Sequence, residues 1–256
     1  MKLNFVRSGN GSPVLVIHGL FGSLSNLGGL AKALSEHYSV YAVDLRNHGD
    51  SPHSEDVGYP SLADDLVELM DDLDISQAAL VGHSMGGKAA MQVALSRAER
   101  VGALVIGDIA PVRYPSHHEA TIAGLNAVVA SRPKSRREAD VTLAKFVSEP
   151  ALRAFLLKNL VKTDSETLGL RVNLRAIETR YDEIAAPPRG TPFSGPTLFM
   201  KGGHSDYIRA AYRDAILDLF PNAELKVLEN TAHWLHADKP ALFNRTVLRF
   251  LGNQNW

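Results

Sequence analysis

The stretch AALVGHSMGGKAAMQVAL, Ala78 to Leu95, carries the pattern G-x-S-x-G at Gly82-His83-Ser84-Met85-Gly86. With 20 glycines in 256 residues, that pattern alone arises by chance in about one random chain in ten, so its setting has to decide. AALV before it reads as a strand, and KAAMQVAL after it reads as a helix. A strand that turns at once into a helix forces the serine into a strained backbone conformation, and the flanking glycines leave room for the neighbouring elements to approach. The turn projects the hydroxyl out of the sheet, with a helix N-terminus beneath any developing anion.

Working outward, short apolar runs alternate with amphipathic stretches, the pattern of strands and crossover helices in a mostly parallel sheet. Leu3 to Arg7 reads as an edge strand, and Pro13 to Ile17 (PVLVI), Tyr38 to Val43 and Ala103 to Ile106 as further strands. Leu24 to Glu36 reads as helical. Ser61 to Leu73 places Leu62, Leu66, Leu69 and Leu73 at spacings of three and four, with Ser61 as the expected N-cap. From about Arg113 to Gly190 the periodicity is helical with no convincing strand. After the Pro/Gly-rich stretch AAPPRGTPFSGP, strands return at Thr197 to Met200 and Glu224 to Leu228, with helices near Ile208 to Leu219 and from Pro240 to Leu251. The expectation is one α/β core, residues 1–112 and 191–256, interrupted by a helical insertion at 113–190.

Composition narrows the function. Lys plus Arg (27) nearly cancels Asp plus Glu (28), so the surface offers no broad attraction for nucleic acid or anionic lipid. The basic run RPKSRR, Arg132 to Arg137, reads as a solvated loop. The absence of cysteine excludes disulfides, thiolate metal sites and a cysteine nucleophile. No signal peptide and no run of about 18 apolar residues is apparent, so no membrane insertion and a cytoplasmic location are expected.

An ordinary serine hydroxyl is a poor nucleophile at neutral pH and needs a base within hydrogen-bond reach. Among ten histidines, His233 follows the last strand and precedes the last helix, at the sheet edge where the Ser84 turn also emerges. His236 is the reserve base. The base needs a carboxylate behind it, and two candidates fit the chain order: Asp108 in GDIAP and Asp206 in GGHSD. Spacing does not choose between them. Acyl transfer also needs donors for an oxyanion, for which the HGLFG loop (His18 to Gly22) offers the Leu20 amide and the helix start offers Met85. Phe21, Asn26, Arg46 and Trp234 are candidate substrate contacts, together with His83, which otherwise reads as a structural neighbour. In DLRNHGDSP (Asp44 to Pro52), Arg46 and His48 are candidates to meet a carboxylate or phosphate of the substrate, with Arg46 bridging loops by a salt bridge as the alternative. Asn26 either orients substrate or caps a helix.

These motifs resemble those of the α/β-hydrolase superfamily, and more closely the YbfF-type esterases, in HGLFGSLSNLG (His18 to Gly28), DLRNHGDSP, GHSMGGKAAM (Gly82 to Met91), GDIAPV (Gly107 to Val112) and AHWLHADKP (Ala232 to Pro240). The family normally has Gly where Ala232 stands. The resemblance implies a mostly parallel sheet flanked by helices with a helical cap, and hydrolysis of carboxylic esters of short or medium acyl chains, with acyl-thioesters as a further class. It implies Asp108 as the acid, whereas many other members of the superfamily use the position of Asp206. The reaction so read needs no metal or organic cofactor, and its partner is a small-molecule ester or thioester. Oligomeric state is not legible. Rival readings are a cofactor-free haloperoxidase or carbon–carbon hydrolase on the same triad, or a non-catalytic ligand receptor. Leu125, Phe146 and Phe155 of the insertion are candidate linings of an acyl pocket.

Overall fold

A computed structural model describes residues 1–163 and 166–256. Among the described residues nine strands are present: β1 (Phe5–Ser8), β2 (Pro13–Ile17), β3 (Ser39–Val43), β4 (Ala78–His83), β5 (Val101–Gly107), β6 (Leu160–Lys162), β7 (Leu168–Leu170), β8 (Thr197–Gly202) and β9 (Ala223–Leu228). Seven form one sheet in the order β1-β3-β2-β4-β5-β8-β9, parallel throughout except for β1 against β3. Helices are α1 (Gly28–Leu34), α2 (Tyr59–Asp72), α3 (Met85–Ser96), α4 (Glu119–Ser131), α5 (Arg136–Leu143), α6 (Pro150–Leu156), α7 (Leu174–Thr179), α8 (Tyr181–Ala185), α9 (Arg213–Leu219), α10 (Leu235–Asp238) and α11 (Pro240–Gly252).

The central strands are continuous apolar runs because both of their faces are covered. Side chains alternate across a strand, and the core divides accordingly. Leu15, Ile17, Leu80, Leu104 and Ile106 join the layer under α2 and α3, while Val14, Val16, Val81, Ala103 and Val105 join the layer of α1 and α11. This two-sided burial fixes the strand register, since a slip of one residue would exchange the layers.

Some sequence expectations move. α2 begins at Tyr59 with Gly58 as its N-cap, so Ser61 lies inside the first turn, where its hydroxyl donates to the Asp56 carboxylate. The 113–190 stretch is mainly helical, yet it contains the antiparallel pair β6 and β7, which register Leu160 against Leu170. Each strand is three residues long, too short to display a period of two.

One side chain of α3 holds the chain near both ends of the 113–190 stretch. Lys88 of α3 is fully buried, and its ammonium donates to the carbonyls of Val112 (2.8 Å), Ala185 (3.0 Å) and Ala186 (2.7 Å). Burial pulls its pKa down to about 7, while three carbonyls use all three N–H groups of the charged form. Tyr59 adds a hydrogen bond from its hydroxyl to Ile184 O at 2.6 Å. No helix among the described residues is long and apolar enough to cross a membrane.

Candidate active site

Ser84 sits between β4 and α3 at φ 53° and ψ −123°, a left-handed φ that costs a non-glycine residue energy and persists where its surroundings impose it. The Ser84 amide donates to Gly107 O at 2.9 Å, tying the turn to the end of β5. Gly86 permits the turn, because a Cβ there would stand 2.3 Å from His18 O. The carboxyl ends of β2 and β4 and the first turn of α3 thus meet through backbone alone.

His233 arrives from the loop after β9. That loop folds back over the end of β8, with His204 N donating to Thr231 O at 2.9 Å. The crossing needs Gly202, since a Cβ there would lie 2.3 Å from Ala232 O. The imidazole then stands between two side chains: its Nε2 is 3.0 Å from Ser84 Oγ, and its Nδ1 is 2.8 Å from Asp108 Oδ2. A carboxylate only accepts, so Nδ1 carries the proton and Nε2 accepts from the serine hydroxyl.

Asp108 is fully buried. Its φ of 51° turns the chain sharply out of β5, and its carboxylate has three donors. Besides His233 Nδ1–H, Oδ1 accepts from Gly202 N at 2.9 Å, and Oδ2 accepts from the Ser205 hydroxyl. Buried charge is tolerable when it is hydrogen-bonded on this scale.

Two further histidines brace the HGLFG loop. His18 Nδ1 donates to Gly19 O (2.8 Å) and Nε2 accepts from Leu45 N (3.1 Å); His48 Nδ1 donates to Arg46 O (3.0 Å) and Nε2 accepts from Phe21 N (3.1 Å). One neutral tautomer satisfies all four bonds. Burial lowers both pKa values, that of His48 to about 3, with the His18 ring as a second cause. Their signal was a histidine flanked by glycine just beyond a strand, a place where backbone amides need acceptors. In the same loop Gly22 N donates to Gly19 O at 3.0 Å, and a Cβ on Gly19 would be 3.2 Å from Ser84 Cβ, so Leu20 lies beside the serine in the chain path. Met85 opens α3, directly after Ser84.

Several candidate residues are engaged elsewhere. Asp206 is not joined to His233; its side chain is 89% exposed and 3.9 Å from Arg209 Nε. Arg46 grips Asp65 through Nε (2.6 Å) and a second guanidinium nitrogen (2.8 Å), with Asp56 at 3.6 Å, so its charge ties this loop to α2. His48 is likewise occupied at both nitrogens. Asn26 Oδ1 accepts from Ser23 N at 2.7 Å and closes the turn before α1. His83 is buried beneath the base, donating from Nε2 to His233 O at 2.9 Å, and burial holds it neutral with its pKa well below the usual value. His236 packs edge-on to His83 (centroids 4.6 Å), and burial, with the charge of His233 as a second cause, lowers its pKa to about 4. Phe21 is buried with His118 edge-on at 6.1 Å, and Trp234 meets Phe155 at 5.3 Å. Leu125 is fully buried, Phe146 is 42% exposed to solvent, and Phe155 packs against Trp234 in the loop that carries His233. Among the described residues no group of three or more His, Asp or Glu is arranged to hold a metal ion.

A family model described as "Alpha/beta hydrolase family" matches residues 14–246. The chain belongs to the alpha/beta hydrolase family. It is 39% identical to Esterase YbfF of Escherichia coli (strain K12) over 99% of this chain and all of that protein. It is 42% identical to the sn-1-specific diacylglycerol lipase ABHD11 of Mus musculus over 93% of this chain and 80% of that protein. Among solved structures, a marine microorganism esterase superposes with a TM-score of 0.94 at 35% identity, covering 97% of this chain and 99% of that one. With an esterase matched along its whole length, a lipase along 80% of its length and the fold in common, this alpha/beta hydrolase is a YbfF-type esterase, a carboxylic ester hydrolase.

Proposed function

We propose that the chain hydrolyses carboxylic esters of short or medium acyl length by a two-step acyl transfer, with Ser84 as nucleophile, His233 as general base and Asp108 as the acid. The observation that carries this reading is the unbroken hydrogen-bond line from Ser84 Oγ through His233 to Asp108 Oδ2. His233 takes the serine proton as the hydroxyl attacks the ester carbonyl, and Asp108 offsets the imidazolium charge. The same proton then passes to the departing alcohol. Water cleaves the acyl-enzyme with His233 again as base.

The tetrahedral oxyanion is stabilised by the amides of Met85 and Leu20. Phe21 N and Gly22 N are already engaged by His48 and Gly19, which supports Leu20 as the donor from that loop. Residues 113–190 act as a cap over this site. In support, Asn159 of that segment donates to Phe21 O at 2.8 Å, and Phe155 meets Trp234 beside the base. Apolar walls from Phe21, Phe155 and Trp234 suit an acyl chain better than a charged group. Thioesters, whose carbonyl chemistry is the same, form a second substrate class.

The test is Ser84→Ala. Its kcat on p-nitrophenyl esters is expected to fall by about 10⁶; turnover within tenfold of the parent refutes the nucleophile.

A further inference from the structure

Two hydrogen bonds hold the His233 imidazole, one at each nitrogen, to Asp108 and to Ser84. Together with the Cβ–Cγ bond they set the ring plane, but all three anchors shift as the proton moves between Ser84 and the leaving group. Hydrogen bonds weaken as the donor leaves the acceptor's preferred direction, so a contact on the ring face that limits this tilt keeps both bonds aligned. Tyr207 makes that contact: its ring is stacked on His233 with centroids 3.9 Å apart and planes 20° from parallel. The neighbouring His83 ring is 4.8 Å away and tilted by 43°, and its hydrogen bond goes to the His233 backbone carbonyl.

Tyr207 is itself pinned at three points. Its amide donates to Ser205 Oγ at 3.2 Å, its carbonyl accepts from the Tyr114 hydroxyl, and its own hydroxyl meets His117 Nε2 at 2.5 Å. Ser205 also donates to Asp108. One short loop after β8 therefore supports the acid through Ser205 and covers the base through Tyr207. Tyr114 and His117 lie where the chain enters the 113–190 segment, and the Tyr114 hydroxyl accepts from Ala110 N at 2.9 Å, just past Asp108.

We infer that Tyr207 is a positioning residue for His233. Its ring holds the imidazole plane while Nε2 carries the proton from Ser84 to the departing alcohol, and its π face favours the imidazolium formed on the way. The hydroxyl and its bond to His117 orient the ring and are secondary to it. The inference rests on the reading of Ser84 and His233 as nucleophile and base.

The experiment compares the parent, Tyr207→Phe and Tyr207→Leu by active-site titration with a fluorophosphonate, by kcat and KM on p-nitrophenyl butyrate, and by melting temperature. The phenylalanine variant keeps the ring and should stay within about threefold of the parent in kcat. The leucine variant should lose about tenfold or more in kcat, with KM within about twofold and the titratable fraction unchanged. A leucine variant within about twofold of the parent in kcat overturns the inference. So does a loss carried by KM alone, which would make Tyr207 a substrate contact, or a phenylalanine variant as impaired as leucine, which would move the role to the hydroxyl. If the leucine variant does not fold, Tyr207→Met, which fills similar volume without a ring, is judged by the same criteria. In the parent, the His233 Cε1 proton should resonate upfield of that of exposed His37 through the Tyr207 ring current; the lack of that difference also overturns the inference. Failure of the parent to label at Ser84 would instead sink the proposed function, which separates the two.

Discussion

The loops after β5 and β8 leave the same edge of the sheet, and each carries an aspartate, yet their carboxylates have opposite surroundings. Asp108 is fully buried and accepts from His233, Gly202 N and Ser205. Asp206 is 89% exposed beside Arg209. The difference originates in the backbone. Asp108 follows β5 directly at φ 51°, which turns its side chain under the sheet edge, whereas the end of β8 is covered by the returning loop after β9. The β8 loop is thereby left to serve as support, supplying Ser205 to the acid and Tyr207 to the face of the base. A loop can belong to a site by bracing it even when its most acidic residue faces water.

Neutralising each aspartate in turn separates the roles of the two loops. Asp108→Asn should lower kcat for ester hydrolysis by about 10⁴, since an amide behind the imidazole disfavours the required tautomer. Asp206→Asn should stay within about twofold; steady-state kinetics on one p-nitrophenyl ester decides, and reversed outcomes would transfer the acid to the β8 loop. Next in size is the crossing itself. Gly202→Ala drives a methyl into Ala232 O and should displace His233 enough to lower kcat by about 10², with the folded state checked by circular dichroism.

Ser205→Ala removes one of three donors from Asp108 and should lower kcat about tenfold. An unchanged kcat would mean that the remaining two bonds hold the carboxylate unaided. The smallest effect is on stability. His48 and His236 are held neutral in the fold, with pKa values of about 3 and 4, against an ordinary value of 6.5. Between pH 6.5 and 4 the unfolded chain therefore binds more protons than the folded one, so stability is complete above 6.5 and declines as the pH falls through that window. Melting temperature measured from pH 7 to 4 should drop steadily, and the drop should shrink in His236→Leu.

Much of this was legible in the sequence where local chemistry determines structure. The apolar runs PVLVI, AALV and ALVIG could only be buried strands, and G-x-S-x-G between a strand and a helix identified the turn that holds Ser84 at a left-handed φ. The position of His233 followed from the order of elements. Spacing left Asp108 and Asp206 undecided because their difference depends on how the β9 loop crosses β8, a contact between residues far apart in the chain. The sequence leaves Arg46 open between a substrate contact and a bridging salt bridge, because a loop arginine can do either; Asp65 engages Arg46, and the loop backbone engages His48. Tyr207 had no signal, since a tyrosine two residues past a loop serine gives no hint of a stacking partner 26 residues later.

Ester hydrolysis at this site requires His233 to make Ser84 nucleophilic. Peptide mapping after reaction with a fluorophosphonate tests this directly: a single adduct should form rapidly on Ser84 in the parent and be lost in His233→Ala. An adduct on another residue, or equal labelling of Ser84 without the imidazole, would contradict it.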